Sequence, residues 1–295
     1  MTTLSNKIDF AVIINVKNAN PNGDPLNGNR PRVNYDGTGE LSDVCIKRKI
    51  RNRLMEEGHA VYVQPDDNRV DEYRSLKARA DGVLKNVSKK DENEFRNAAN
   101  KTWIDVRAFG QVFAFKKGKD EDAGVSIGIR GPVSIHPAFS IVPVLDRVTS
   151  VQITKSVSNE GDGSKPGRDT MGMKHRVDHG VYVFYGSINT QLAQKTGFSD
   201  EDAQAIKNAL VTLFRNDASF ARPEGSMEVY KVFWWEHPNP TGKYSSAKVH
   251  RVIREYVKVK PEITEPNEIG DYQIPTKQEV DKLLPGLECE VLEGE

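Results

Sequence analysis

The first strongly apolar stretch of the chain is Phe10-Ala11-Val12-Ile13-Ile14-Asn15-Val16, rich in β-branched residues and without strict polar alternation. That pattern predicts a central strand buried on both faces. Asn, Pro and Gly crowd residues 18–29 directly after it, so a loop follows. Apolar residues then recur at Ile46, Ile50 and Leu54, the spacing of one helix face. Ser42 is the N-cap expected for this helix, Leu41 and Ile46 its hydrophobic staple and Gly58 its stop, which places the helix over 43–57. A second helix begins where Phe198 precedes Ser199, with Asp202 in the capping-box position and Ala203, Ile206, Leu210, Leu213 and Phe214 as its apolar face. β-rich runs at 181–188 and 227–235 flank it.

Two strand–helix units with further strands between them predict an α+β fold, a ferredoxin-like or RRM-like palm of the βαββαβ kind over residues 1–259. Two stretches do not fit so small a core. Residues 65–102 are heavily charged and read as a mostly helical insertion; residues 155–176 are polar and glycine-rich, the kind of long loop that is usually functional. No internal repeat is present.

Charge changes this picture more than composition does. The formal net charge is zero, but residues 260–295 hold ten acidic residues against three lysines, a segment of −7. The remaining 39 basic and 32 acidic residues give 1–259 a charge of +7, which fits a polyanion partner. The acidic, proline-containing segment reads as a C-terminal tail. No apolar run approaches the roughly 20 residues that cross a bilayer, and the amino terminus lacks the apolar core of a signal peptide. A cytoplasmic protein with no membrane partner is expected. Cys45 and Cys289 are the only cysteines, too few and too far apart for a disulfide framework, and are expected to be a small buried thiol and a tail thiol.

Candidate chemistry centres on the first helix. On a wheel with Ile50 at zero, Lys47, Arg51 and Arg48 fall near about 60°, 100° and 160°, on one flank of the apolar stripe. Three adjacent cations repel unless an anion runs past them, and a phosphate chain is the natural candidate. Since they lie off the stripe, the fold is not expected to need them. His175 and His179 are four residues apart, but the β-rich run that follows argues against the helix a metal pair would need, and no metal or cofactor is expected. Residues 179–185 fall short of an RNP1 motif in the basic first position and the aromatic spacing, so their aromatics read as core. Asp105 and Arg107 read as a structural pair. Asp24, Asp36 and Asp43 are isolated, and no set of acid, base and nucleophile assembles.

Taken in order, five segments carry a family resemblance: the loop of 18–29; Ser42-Asp43-Val44-Cys45-Ile46-Lys47-Arg48-Lys49-Ile50-Arg51-Asn52; Asp105-Val106-Arg107-Ala108-Phe109-Gly110; Ile129-Arg130-Gly131-Pro132-Val133; and Gly172-Met173-Lys174-His175 before a strand. Together they resemble the backbone subunit of the type I-C (Dvulg) CRISPR Cascade complex, of the repeat-associated mysterious protein (RAMP) superfamily. The resemblance implies a hand-shaped, non-catalytic subunit with residues 65–102 as finger and 155–176 as a β-hairpin thumb. Its implied partners are crRNA, the target DNA strand paired to that guide, neighbouring copies of itself and other Cascade subunits. Its implied RNA contacts are Asn20, Asn22, Lys47, Arg48, Arg51, Arg107, Arg130, Lys155, Arg168, Lys174 and His175, with Met171 and Met173 wedging between bases. Base pairing, not protein, would then read sequence. The alternative is an RNA-cleaving backbone subunit of the type III kind, with Asp24 or Asp36 as its loop aspartate.

Overall fold

A computed structural model describes residues 2–115, 125–155 and 170–295. β1 (Ile8–Ala19) leads into a loop with the two-residue strands β2 (Gly23–Asp24) and β3 (Arg30–Pro31), then β4 (Thr38–Leu41) and α1 (Asp43–Glu56). An insertion follows, with α2 (Leu76–Val83), α3 (Glu92–Thr102), α4 (Ile104–Phe109) and a hairpin of β5 (Gly110–Phe115) and β6 (Val125–Arg130). The chain returns through β7 (Val133–Ile135), β8 (Ala138–Pro143), β9 (Val148–Lys155) and β10 (Thr170–Ile188), then α5 (Thr190–Thr196), α6 (Asp200–Val211) and β11 (Met227–Glu236). It ends with α7 (Ser246–Tyr256), the short pair β12 (Lys258–Val259) and β13 (Tyr272–Gln273), α8 (Lys277–Leu283) and β14 (Glu290–Glu293).

The principal sheet has the order β14-β11-β1-β10-β8-β4, with β7 and β9 also paired to β10, and every pairing within it is antiparallel. β1 is central, as its unbroken apolar run requires. Successive side chains on a strand point to opposite faces, so Phe10, Val12, Ile14 and Val16 enter one core with α1 and α6. Ala11 and Ile13 enter a second core beneath α7 and α8. Both faces of the sheet are therefore covered.

α1 begins and ends where its caps predict. Ser42 Oγ accepts the Cys45 N–H at 3.3 Å. At the other end Gly58 takes φ +85°, and its N–H and that of His59 return to the carbonyls of Met55 and Leu54. The predicted capping box of Ser199 and Asp202 forms in full at the start of α6.

The insertion has a core of its own, and that core draws on residues outside 65–102. Phe95 of α3 packs with Tyr62, Trp103, Val106, Phe113 and Ile127, and the Tyr62 ring lies 4.7 Å from Trp103 and 4.9 Å from Phe113. Charge alone concealed this, because Tyr62, Trp103 and Phe113 lie outside the charged stretch and Phe95 is the one of these aromatics within it. The 260–295 segment is likewise packed rather than trailing: Tyr272, Val280, Leu284, Leu287 and Cys289 are buried in the second core, and β14 pairs with β11. Cys289 is thus a core thiol and not a tail thiol, while Cys45 is only partly buried.

β10 is longer than β1 needs. Its residues 177–188 pair with β1, and its first half, from Thr170 to Val177, pairs with β9 as the two arms of a hairpin extending past the end of β1. The tip between the arms, including Arg168, lies outside the described residues. No helix among the described residues is long and apolar enough to cross a membrane.

Candidate nucleic-acid interface

The C-terminal end of β1 gathers several of the sequence candidates. The loop after β1 is held by its own asparagines: Asn20 Nδ2 donates to the Asn29 carbonyl at 2.7 Å, and Asn22 Oδ1 accepts from both the N–H and the hydroxyl of Ser42 at 3.0 Å. Asn22 thereby ties the loop to the N-terminus of α1. Arg30 reaches the hairpin, donating to Ser150 Oγ at 3.2 Å, and the same hydroxyl lies 2.8 Å from His175 Nδ1. Burial, with Arg30 nearby, lowers the His175 pKa below its ordinary value. His175 and His179 both lie in β10, where a four-residue spacing separates them by about 13 Å, too far to share one ion.

Beside this loop a groove of 760 Å³ runs between α1, the turn around Asp67 and the 216–222 loop. Its charges cancel, with Arg48, Lys49 and Arg222 set against Glu56, Asp67 and Asp217, and Asp217 is paired with both Lys49 and Arg222. Arg48 is different. One of its guanidinium nitrogens, Nη1, is buried without a hydrogen-bond partner, and burial followed by the Arg51 charge pulls its pKa below the usual guanidinium value. Asn52, one turn on, has a buried Oδ1 without a partner. An anion in the groove would satisfy the guanidinium.

The helix flank that carries Arg48 is otherwise neutralised from within. Lys47 pairs with Asp43 at 3.1 Å. Arg51 Nε donates to Asp105 Oδ2 at 2.8 Å, and its guanidinium lies 5.1 Å from the centre of the Phe109 ring. Arg107, a further candidate contact, pairs not with its sequence neighbour Asp105 but with Asp202, at 2.7 Å through each of two nitrogens. Asp105 and Asp202 are both buried, so Arg51 and Arg107 join the insertion to the palm. The expectation that the fold does without the whole Lys47–Arg48–Arg51 flank is corrected at Arg51, whose partner Asp105 is a buried carboxylate far away in sequence.

At the hairpin, Lys174 Nζ sits 4.2 Å above the ring of Phe220, a residue 70% exposed. Sequence reasoning missed Phe220, an isolated aromatic in a polar loop, although an exposed ring in such a loop is itself a signal. Met173 is 55% exposed. The backbones of Lys155 and Met171 pair within the hairpin, opposite Thr170 and Thr154. Arg130 lies elsewhere, in a groove with α3 and α5.

Asp24 and Asp36 are engaged in local turns. Asp24 accepts the Leu26 N–H at 3.2 Å, and Asp36 accepts both the hydroxyl and the N–H of Thr38, bonds that hold its carboxyl below the ordinary range. No cluster of three or more metal-binding side chains occurs among the described residues.

These features define a mixed α/β protein on one large antiparallel sheet, with a polar groove and an exposed cation–aromatic pair at the end of its central strand. The chain belongs to the family described as CRISPR-associated protein Cas7, whose sequence model matches residues 6–277. A CRISPR-associated protein Cas7 of Haloferax volcanii is 28% identical over 233 residues, covering 74% of this chain and 67% of the relative. Among solved structures, a chain of a CRISPR RNA-guided surveillance complex, pre-nicking, aligns over 94% of this chain and 87% of its own length with 14% identity and a TM-score of 0.49. A second CRISPR RNA-guided surveillance complex contributes a chain with 14% identity, a TM-score of 0.44 and coverage of 97% and 87%.

Proposed function

We propose that the protein is a non-catalytic, guide-RNA-binding backbone subunit of a CRISPR surveillance complex of the type I-C kind, several copies of which coat one crRNA and support its pairing with target DNA. Family membership supports the general reading, and the five-segment resemblance supports the subtype. The observation that carries RNA binding is Arg48, whose guanidinium faces a groove with one nitrogen unpaired. Leaving that group unsatisfied costs more than a neutral hydrogen bond is worth, and a phosphate relieves the cost.

The palm is read here as ferredoxin-like. The succession β1–α1–β7/β8–β10–α6–β11, with spatial order β11-β1-β10-β7/β8, supports that reading, as α1 and α6 share one face. An RRM binds RNA on its open sheet face, but here α7 and α8 cover that face. The guide is therefore proposed to run past the strand ends, over the groove of Arg48 and the Lys174–Phe220 pair, with the β9–β10 hairpin as thumb and Met173 beside the bases. Contacts of this kind go to backbone and base faces, as expected when pairing carries the sequence information.

The test is expression with a guide and the other subunits, followed by mass measurement and ribonuclease treatment of the assembly. RNA-dependent assembly in multiple copies is expected. Arg48→Ala should weaken single-stranded RNA binding and flatten its log–log salt slope by about 0.7. A protein that purifies free of RNA and assembles regardless of ribonuclease would replace this reading with that of a purely structural polymer.

A further inference from the structure

A second groove, of 620 Å³, opens between α3, β6 and α5. It is at the other end of the sheet. Ile8, the first residue of β1, pairs with Ile188 just before α5, whereas the groove of Arg48 begins at Pro21, past the last residue of β1. Twelve residues of strand separate the two ends, about 35 Å at an ordinary rise of roughly 3.3 Å per residue.

Its lining mixes apolar Ile129 and Leu192 with amides and cations, and its charges are of one sign. Asn93, Asn97 and Asn100 occupy one face of α3, and Arg130 and Lys195 are the exposed cations at its rim. Among the described residues neither Arg130 nor Lys195 has an ion-pair partner, and no carboxylate lines the groove. Arg96, between the asparagines, is fixed by Glu92 at 2.6 Å, by Asn93 at 3.2 Å and by the Gly128 carbonyl at 3.2 Å.

Two further features belong to residues that line this space. Asn100 is 5% exposed, and its buried Oδ1 has no hydrogen-bond partner, which is unfavourable when left unmet. Gly128 is exposed, and a Cβ built on it would meet nothing within 4 Å. A glycine inside a strand often marks close approach by a ligand or another backbone.

We propose that this groove is a second binding site for single-stranded nucleic acid, separate from the groove of Arg48, with phosphates at Arg130 and Lys195 and base edges against the asparagine row. An acidic peptide would satisfy the cations, but its carboxylates bring only acceptors. Base edges carry donors and acceptors together, which is what side-chain amides match and what Asn100 Oδ1 lacks. The inference does not depend on Arg48 or on the identity of the strand bound there.

The test uses the full chain and a thiouridine-substituted oligouridylate, with photocrosslinks mapped to peptides. Crosslinks are expected at residues 93–100 and 128–130 as well as near Arg48. Arg130→Glu with Lys195→Glu should abolish the first set, leave the second and weaken total binding by about tenfold. Gly128→Val, which fills the open space without changing charge, should remove the same set with an unaltered thermal melt. The proposal is overturned if no crosslinks map to these peptides, if the charge reversals leave them in place, or if a peptide of residues 260–295 displaces the oligouridylate from them while leaving those at Arg48. The last result would make the groove a protein-docking site.

Discussion

Arg51 and Asp105, separated by 54 positions in sequence, form an ion pair of 2.8 Å in which the carboxylate is almost wholly buried. The same Asp105 accepts the backbone N–H groups of Tyr62 at 2.7 Å and Val63 at 3.1 Å. One carboxylate thus fixes the chain as it leaves α1 for the insertion, and Arg51 supplies the charge that makes its burial tolerable. Arg51→Ala should therefore destabilise the protein by about 3–5 kcal/mol. Lys47→Ala, which breaks only a half-exposed pair with Asp43, should cost about 1 kcal/mol or less. Urea denaturation of the two variants side by side separates these values. Equal midpoints would mean that Asp105 does not need its partner.

Phe220 gives a prediction of the opposite kind. Its ring is exposed and touches Lys174 Nζ, so Phe220→Ala should leave the melting temperature nearly unchanged. If the ring is a stacking platform, single-stranded RNA affinity should fall by about 1–3 kcal/mol, measured by fluorescence anisotropy. Phe220→Trp should restore it. Loss of affinity that Trp does not rescue would point to loop shape rather than stacking.

How far the sequence led can be judged at these residues. β1, α1 and α6 were legible because their signals are local: an apolar run, a cap, a period of 3.6. The groove of Arg48 was half legible, since a helical wheel shows that three cations adjoin but not that Asp43 and Asp105 neutralise two of them. Nothing local to Arg107 names Asp202, 95 positions on. The buried role of Lys49 escaped as well, because a lysine is rarely placed in a core without a carboxylate, and Asp217 arrives from the loop before β11.

Buried His179 should make the protein sensitive to acid. Burial, followed by the charges of Arg147 and Lys17, lowers its pKa to about 4 from an ordinary 6.5. The folded state therefore binds the proton less tightly than the unfolded chain does. The stabilising contribution is complete above about pH 6.5 and is lost as pH falls through 4, on the order of 3 kcal/mol in all. His179→Phe removes this dependence, and its stability between pH 7 and 4 should decline less than that of the unaltered protein. Parallel pH profiles of the two proteins in urea would rule the idea out.

In the acidic C-terminal segment, charge and packing pull in different directions. Glu262 and Glu265 are exposed and have no packing role, so neutralising both as glutamine should change stability by no more than about 0.5 kcal/mol. Leu284, by contrast, is fully buried in the same cluster as Phe233, Trp235 and Tyr185, which it helps to cover on the sheet. Leu284→Ala removes that cover and leaves a cavity, for an expected loss of about 2–5 kcal/mol. Removing residues 277–295 altogether would take away Val280, Leu284, Leu287 and Cys289 and strip β14 from β11, leaving β11 as the sheet's edge. The aromatic face so exposed exceeds what a soluble monomer ordinarily shows to water. The truncated chain should bind a hydrophobic dye and aggregate on purification. A truncated chain that stays monomeric and melts at the same temperature would mean that the segment is held on the sheet only weakly.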